Sequence, residues 1–222
     1  GVLAVLPRRF SPLRAGLDGH VASIVGGLSA AHAAREQALP ACRRTIRASG
    51  SAIRALHRLD PEAAAAHLAE ADEALRVAQD VLRPFPAVAT AGFLVDAEKE
   101  LVEARLLAAL IAGTPLPGPE ALAVDPTSWM KGLAEAASEL RRHTLDRLRD
   151  GDLARGEELL ATMDEVFSAL VVVDFPDALT GGLRRTLDAL RAVLERTRGD
   201  VTTTVLQVRL QRAIEASSGQ LD

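Results

Sequence analysis

Glu100-Leu-Val-Glu103 and Glu135-Ala-Ala-Ser-Glu139 set four carboxylates at spacings of three and four residues, within runs of strong helix formers. On a helix of about 3.6 residues per turn such residues stand side by side, so each segment presents an acidic pair on one face. Glu100 and Glu103 fall in line with Leu107, Leu110 and Ile111, an apolar stripe, and are expected to point toward protein. Burying several unpaired carboxylates is prohibitive, and proteins resolve such sites by pairing, protonation or a cation. In the second segment Trp129, Leu133, Ala136, Leu140 and Leu148 form the apolar stripe, while Glu135 and Glu139 lie opposite with Gly132, Arg142 and Asp146. Periodicity alone assigns that opposite face to solvent. If the two pairs meet, they form an oxygen-rich pocket suited to a hard cation such as Mg²⁺ or Mn²⁺.

The helical signature extends outward in both directions, with few β-branched runs and no alternating strand pattern. An all-α multi-helix bundle of about seven helices is expected. A first long helix is read from Pro12 to Arg58, bent or interrupted at Gly26-Gly27 and Pro40. Asp60-Pro61-Glu62 caps and opens a second helix that ends near Arg83-Pro84, and a third runs from Pro86 to Gly113. Thr114-Pro-Leu-Pro-Gly-Pro119 is a connection or the start of a short helix, and Asp125-Pro126 caps the helix that carries Glu135 and Glu139. Asp152 starts the next helix, Phe175-Pro176 breaks it, and Asp200 is read as the cap of a final one after Gly199. The domain is expected over residues 13–216, with 1–12 a disordered or processed N-terminus and 217–222 a frayed tail.

Composition bounds the function classes. The chain has 222 residues, 48% hydrophobic and only 3% aromatic, enough to bury a core without disulfides. Cys42 stands alone and is read as a packing residue, and the scattered His20, His32, His57, His67 and His143 lack the spacing of a zinc site. No Gly-rich phosphate loop follows a strand and no Ser-His-Asp set is suggested. Val2-Leu-Ala-Val-Leu6 is far too short to span a bilayer, so a cytoplasmic protein without a membrane partner is expected. The net charge of −4 excludes a globally basic nucleic-acid binder but leaves room for a local strip. Arg35, Arg43, Arg44, Arg47, Arg54 and Arg58 form such a strip, where guanidinium groups can hold phosphates by bidentate contacts. From composition alone a solvated helix face is the simpler reading of those arginines.

Lys99-Glu-Leu-Val-Glu-Ala104 and Trp129-Met-Lys-Gly-Leu-Ala-Glu-Ala-Ala-Ser-Glu-Leu-Arg-Arg142 resemble the translin superfamily. The resemblance continues in Arg47-Ala-Ser-Gly-Ser-Ala-Ile-Arg-Ala-Leu-His-Arg58, Leu148-Arg-Asp-Gly-Asp152 and Met163-Asp-Glu165. It closes in Leu183-Arg-Arg-Thr-Leu-Asp188 and Glu195-Arg-Thr-Arg-Gly-Asp200, so that residues 30–215 are spanned in order. Plain translin subunits bind nucleic acid, whereas translin-associated factor X carries a ribonuclease site. This chain is similar to the catalytic branch, whose Glu-x-x-Glu helix falls on Glu100 and Glu103 and whose third carboxylate falls on Glu135, where the animal proteins have Asp.

The resemblance implies an archaeal-type, self-sufficient homologue: a metal-dependent endoribonuclease for single-stranded or unpaired RNA, with single-stranded DNA as a further ligand. Glu100, Glu103 and Glu135 are the implied catalytic metal ligands for Mg²⁺ or Mn²⁺, with Glu139 an additional or alternate ligand. The basic first helix would line a nucleic-acid-binding cavity inside a hollow homo-oligomer, an octamer or, next, a hexamer. The competing reading is a noncatalytic RNA- or DNA-binding scaffold in which the glutamates pair with Arg105, Arg141 or Arg142. A helical ligand-sensing or partner-binding module is a third.

Overall fold

A computed structural model describes residues 11–218; the expectations for residues 1–10 and 219–222 lie outside the described residues. All regular structure among them is helical. Six long helices carry the fold: α1 (Ser11–His57), α2 (Pro61–Leu82), α4 (Phe93–Ala112), α6 (Pro126–Arg149), α7 (Leu153–Leu170) and α9 (Leu183–Ser218). Three one-turn helices, α3 (Pro86–Ala89), α5 (Pro119–Leu122) and α8 (Asp177–Thr180), occupy the connections and raise the described total to nine.

The punctuation acts where a side chain satisfies the helix start. Asp60 accepts from the Ala63 N–H at 3.0 Å, Asp125 from Thr127 at 2.8 Å and Asp152 from Arg155 at 3.1 Å, each relieving one orphan donor. At its other end α4 stops because Gly113 adopts a left-handed conformation with φ 67°. Three expected interruptions do not occur. Helix α1 passes through Gly26, Gly27 and Pro40 unbroken. Buried Ala34, Ala38 and Cys42 anchor α1 on both sides of Pro40, whose ring lies on the exposed side, and this packing outweighs the lost hydrogen bond. Likewise Asp200 caps nothing: it lies inside α9 and accepts from Arg141 at 2.8 Å.

Helix α4 sits at the centre. One core joins it to α6, α7 and α9 through Val102, Leu106, Leu107, Leu133, Leu140, Met163, Leu190 and Leu194; another joins it to α1 and α2 through Leu75, Leu82, Leu94 and Leu101. A helix flanked by two cores has no solvent face to spare, and Leu101, Val102, Glu103 and Ala104 are buried in succession. The first half of α1 stands clear of the bundle, with Leu17, Ile24 and Leu28 each about 60% exposed. No helix among the described residues is long and apolar enough to cross a membrane.

Candidate metal centre and nucleic-acid face

The central position of α4 explains the environment of Glu103. Its side chain leaves a helix covered by α1, α2 and α6, and it is buried without a hydrogen-bond donor among the described residues. Helix α6 comes close because it carries no side chain at the crossing. A Cβ placed on Gly132 would lie 2.6 Å from Val102 Cγ1 and 2.9 Å from the Lys99 carbonyl oxygen. Gly132 shares a face with Glu135 one turn on, so this approach carries Glu135 to α4. The face that periodicity assigned to solvent is thus a helix interface, because glycine contributes no hydrophobic signal although it packs.

Glu100, Glu103 and Glu135 each bring one carboxylate oxygen into a group lying within 4.8 Å of one another. Burial pushes the Glu103 carboxyl up to about 8, and the charges of Glu100, Glu135 and Glu139 push the same way, with Lys99 opposing. Lys99 is the cation of the cluster: its Nζ lies 3.1 Å from Glu100 Oε1 and also donates to Glu135 Oε2. Burial pulls the Lys99 ammonium down, but its bonds to Glu135 and Glu100 carry it above its ordinary value.

Glu139 stands beside this trio and is engaged from the other side. His57 Nε2–H donates to Glu139 Oε2 at 2.8 Å, which ties the end of α1 to α6. That hydrogen bond holds Glu139 below its ordinary value against the opposing effect of burial, with the His57 and Arg142 charges assisting. One turn further along α6, His143 is buried, and burial depresses its pKa, helped by the charges of Arg147 and Arg155.

Arg35, Arg43, Arg44, Arg47 and Arg54 of α1, and Arg58 just beyond its end, are exposed. Arg43, Arg47, Arg54 and Arg58 fall within roughly 60° of one another at 100° per residue, opposite the buried face. Arg44 lies at the edge of that strip and approaches Glu70 at 4.0 Å; Arg35 points elsewhere, pairing with Glu36 at 2.7 Å and stacking 5.9 Å from the Phe93 ring. Arg54 donates to Ser51 at 2.9 Å, while Arg43, Arg47 and Arg58 make no side-chain bond among the described residues. Of the scaffold reading's arginines, Arg105 is held by Asp72 and Arg141 by Asp200 and Thr197, while Arg142 forms no ion pair among the described residues although its charge acts on Glu139.

Lys99, His57 and Gly132 escaped the site as read from the chain. Lys99 adjoins Glu100 in the chain, but the i, i+4 spacing points to Glu103, which it does not bond, so its bridge from Glu100 to Glu135 was not readable. His57 gave no local signal either, because its partner is 82 residues away. The donor set fits a hard divalent cation: three oxygen ligands from two helices, one of them buried and lacking a donor, around a single ammonium. These glutamates could therefore hold a metal ion.

No known family profile matches the chain. Solved structures do. The complex of AfC3PO with duplex RNA matches with a TM-score of 0.79 at 31% identity, covering 85% of this chain and 97% of that one. The crystal structure of AfC3PO matches with a TM-score of 0.78 at 31% identity, covering 85% and 98%. Apo-NeC3PO shares the fold with a TM-score of 0.74 at 17% identity, covering 90% and 99%. Among curated proteins, an uncharacterized protein of Methanocaldococcus jannaschii is 26% identical over 186 residues, 82% of this chain and 81% of the relative. With 31% identity across nearly the whole of a solved C3PO chain, and the same helical bundle, the protein belongs to the translin superfamily.

Proposed function

We propose that the protein is a metal-dependent endoribonuclease that acts on single-stranded or unpaired RNA inside a homo-oligomer. The observation that carries this reading is the convergence of Glu100, Glu103 and Glu135 from α4 and α6, joined through Glu139 and His57 to the arginine-bearing helix α1. Glu100, Glu103 and Glu135 would hold Mg²⁺ or Mn²⁺, with Glu139 an alternate ligand. A cation there supplies Lewis-acid chemistry, neutralising charge that builds on phosphoryl oxygens and making water a better nucleophile. The chain's own groups do the rest. One of these three glutamates would double as the base that takes the proton from attacking water. His57 fixes the Glu139 carboxylate. Arg43, Arg47, Arg54 and Arg58 hold backbone phosphates without reading bases, with Arg44 at the edge extending the contact, so sequence preference is slight.

Self-association is supported by apolar side chains left in water: Leu17, Val21, Ile24, Val25 and Leu28 on α1, and Leu206 and Leu210 on α9. We propose an octamer, with a hexamer next, and a cytoplasmic location. The solved relative that holds duplex RNA makes RNA the first ligand to try, and gives the assay a duplex arm.

The test is incubation with end-labelled single-stranded and duplex RNA in Mg²⁺, Mn²⁺ or EDTA, beside Glu103→Gln. Metal-dependent cleavage lost in that variant is the expected result; binding without cleavage under every condition sinks the nuclease reading. A noncatalytic RNA- or DNA-binding scaffold is the second reading, and one observation favours it: Lys99 already pairs with Glu100 and Glu135.

A further inference from the structure

The ammonium of Lys99 occupies the position from which two of the three clustered carboxylates are neutralised. It lies 3.1 Å from Glu100 Oε1, donates to Glu135 Oε2, and its side chain is 16% exposed. Glu103, the buried member, receives no hydrogen bond from it. The lysine therefore covers the outer edge of the cluster and leaves the inner carboxylate uncovered. Its four-carbon stem ends in a rotatable point charge, so it can leave by side-chain torsion alone, without moving α4 or α6. The residual exposure gives it a way out.

We propose that Lys99 is a tethered counter-ion that gives up Glu100 and Glu135 to a divalent cation and turns its ammonium to a phosphate of the bound nucleic acid. The inference rests on the metal-binding reading of these glutamates and adds to it a phosphate-contacting residue and a coupling between two ligands. Lys99 and a divalent cation cannot both sit against the same carboxylates, because like charges a few ångströms apart repel. In the absence of nucleic acid the lysine competes and metal binding is weak. A polyanion offers the ammonium another partner, so Lys99 swings out and the carboxylates are released. By linkage the effect is reciprocal: metal strengthens nucleic-acid binding by the same factor that nucleic acid strengthens metal binding.

The strip on α1 cannot supply this coupling. Arg43, Arg47 and Arg58 make no bond to the cluster among the described residues, and their charges are present whether or not a cation is bound. Lys99 alone changes partner.

The test is calorimetric titration of Mn²⁺ into the full chain, with and without a 2′-O-methyl RNA oligonucleotide of mixed sequence. Ions bound by the oligonucleotide alone are subtracted. Wild type is expected to bind Mn²⁺ at least about fivefold more tightly when the oligonucleotide is present, the lower end of coupling between two sites. Lys99→Gln is expected to show that tighter affinity without oligonucleotide and no further gain with it. Lys99→Arg, which keeps the charge, is expected to retain the coupling. The wild-type measurement stands by itself should Lys99→Gln fail to fold. Binding that Glu103→Gln abolishes but that neither the oligonucleotide nor Lys99→Gln alters overturns the counter-ion role and leaves the metal reading intact. Absence of Mn²⁺ binding in every protein overturns both.

Discussion

Two buried carboxylates on α4, little more than one turn apart, meet opposite fates. Glu98 is 6% exposed and accepts from Gln79 Nε2 at 3.0 Å, from the Asp125 N–H at 3.2 Å and from Ser128 Oγ at 3.2 Å. Glu103 is 9% exposed, has no donor among the described residues and faces three other carboxylates. Glu98 is hydrogen-bonded to α2 and to the start of α6, and so fastens the bundle. Glu103 is left short of positive charge, a condition that a bound cation would relieve. Burial alone therefore does not identify a functional acid; what distinguishes the two is whether the surroundings supply donors.

The largest effect is expected at Glu98. Replacing it by Ala strands the Asp125 N–H, leaves Gln79 and Ser128 with only the Ala123 and Val95 carbonyls, and opens a cavity, and should lower unfolding stability by about 3–5 kcal/mol whether or not metal is present. Urea denaturation checks it, and a loss below about 1 kcal/mol would mean water serves those donors equally well.

Glu103→Gln should act with the opposite sign. Its folded pKa, about 8, lies above the ordinary 4.5, so the folded chain holds the proton more tightly than the unfolded one. Stability is then lost as pH rises from the lower value through the upper, and Gln, which cannot ionise, escapes that loss. In metal-free buffer the variant should match wild type near pH 5 and exceed it by on the order of 3 kcal/mol at pH 9. Mn²⁺ should erase the difference by stabilising wild type alone. Parallel pH profiles of the two proteins would remove the distinction drawn between the two glutamates.

Gly132→Ala tests what brings the cluster together. The added methyl meets Val102 and the Lys99 carbonyl, so α6 must shift away from α4. A loss of about 1–3 kcal/mol by denaturation and a weakened Mn²⁺ affinity are expected together. Lost stability with unchanged affinity would show that Glu135 reaches the site without the close crossing.

The smallest effect belongs to His143. Its folded pKa lies below 6.5, so the unfolded state binds the proton more readily and stability falls as pH drops through that value. His143→Gln should flatten that acid-side decline between pH 7 and 5, without touching the alkaline loss assigned to Glu103. Thermal unfolding across pH separates the two limbs.

The sequence by itself determined the all-α class, because alternation is absent and Asp60, Asp125 and Asp152 are local signals for local events. It also marked Glu100 with Glu103 and Glu135 with Glu139, since i, i+3 and i, i+4 spacings are readable along the chain, while the family resemblance singled out Glu135 as the third ligand. Where local rules misled, tertiary packing had overridden them: Pro40 and Gly199 stay helical because flanking residues are anchored in a core. Only the tertiary structure decided that α4 lies between two cores, that Gly132 closes the α4–α6 crossing, and that Glu98 is satisfied where Glu103 is not. Those facts depend on groups distant in the chain, Gln79, Asp125 and Ser128 for one carboxylate and Glu135, Glu139 and Lys99 for the other. Periodicity reports the side a residue faces; the donors and charges that meet it there are set by which helices pack together.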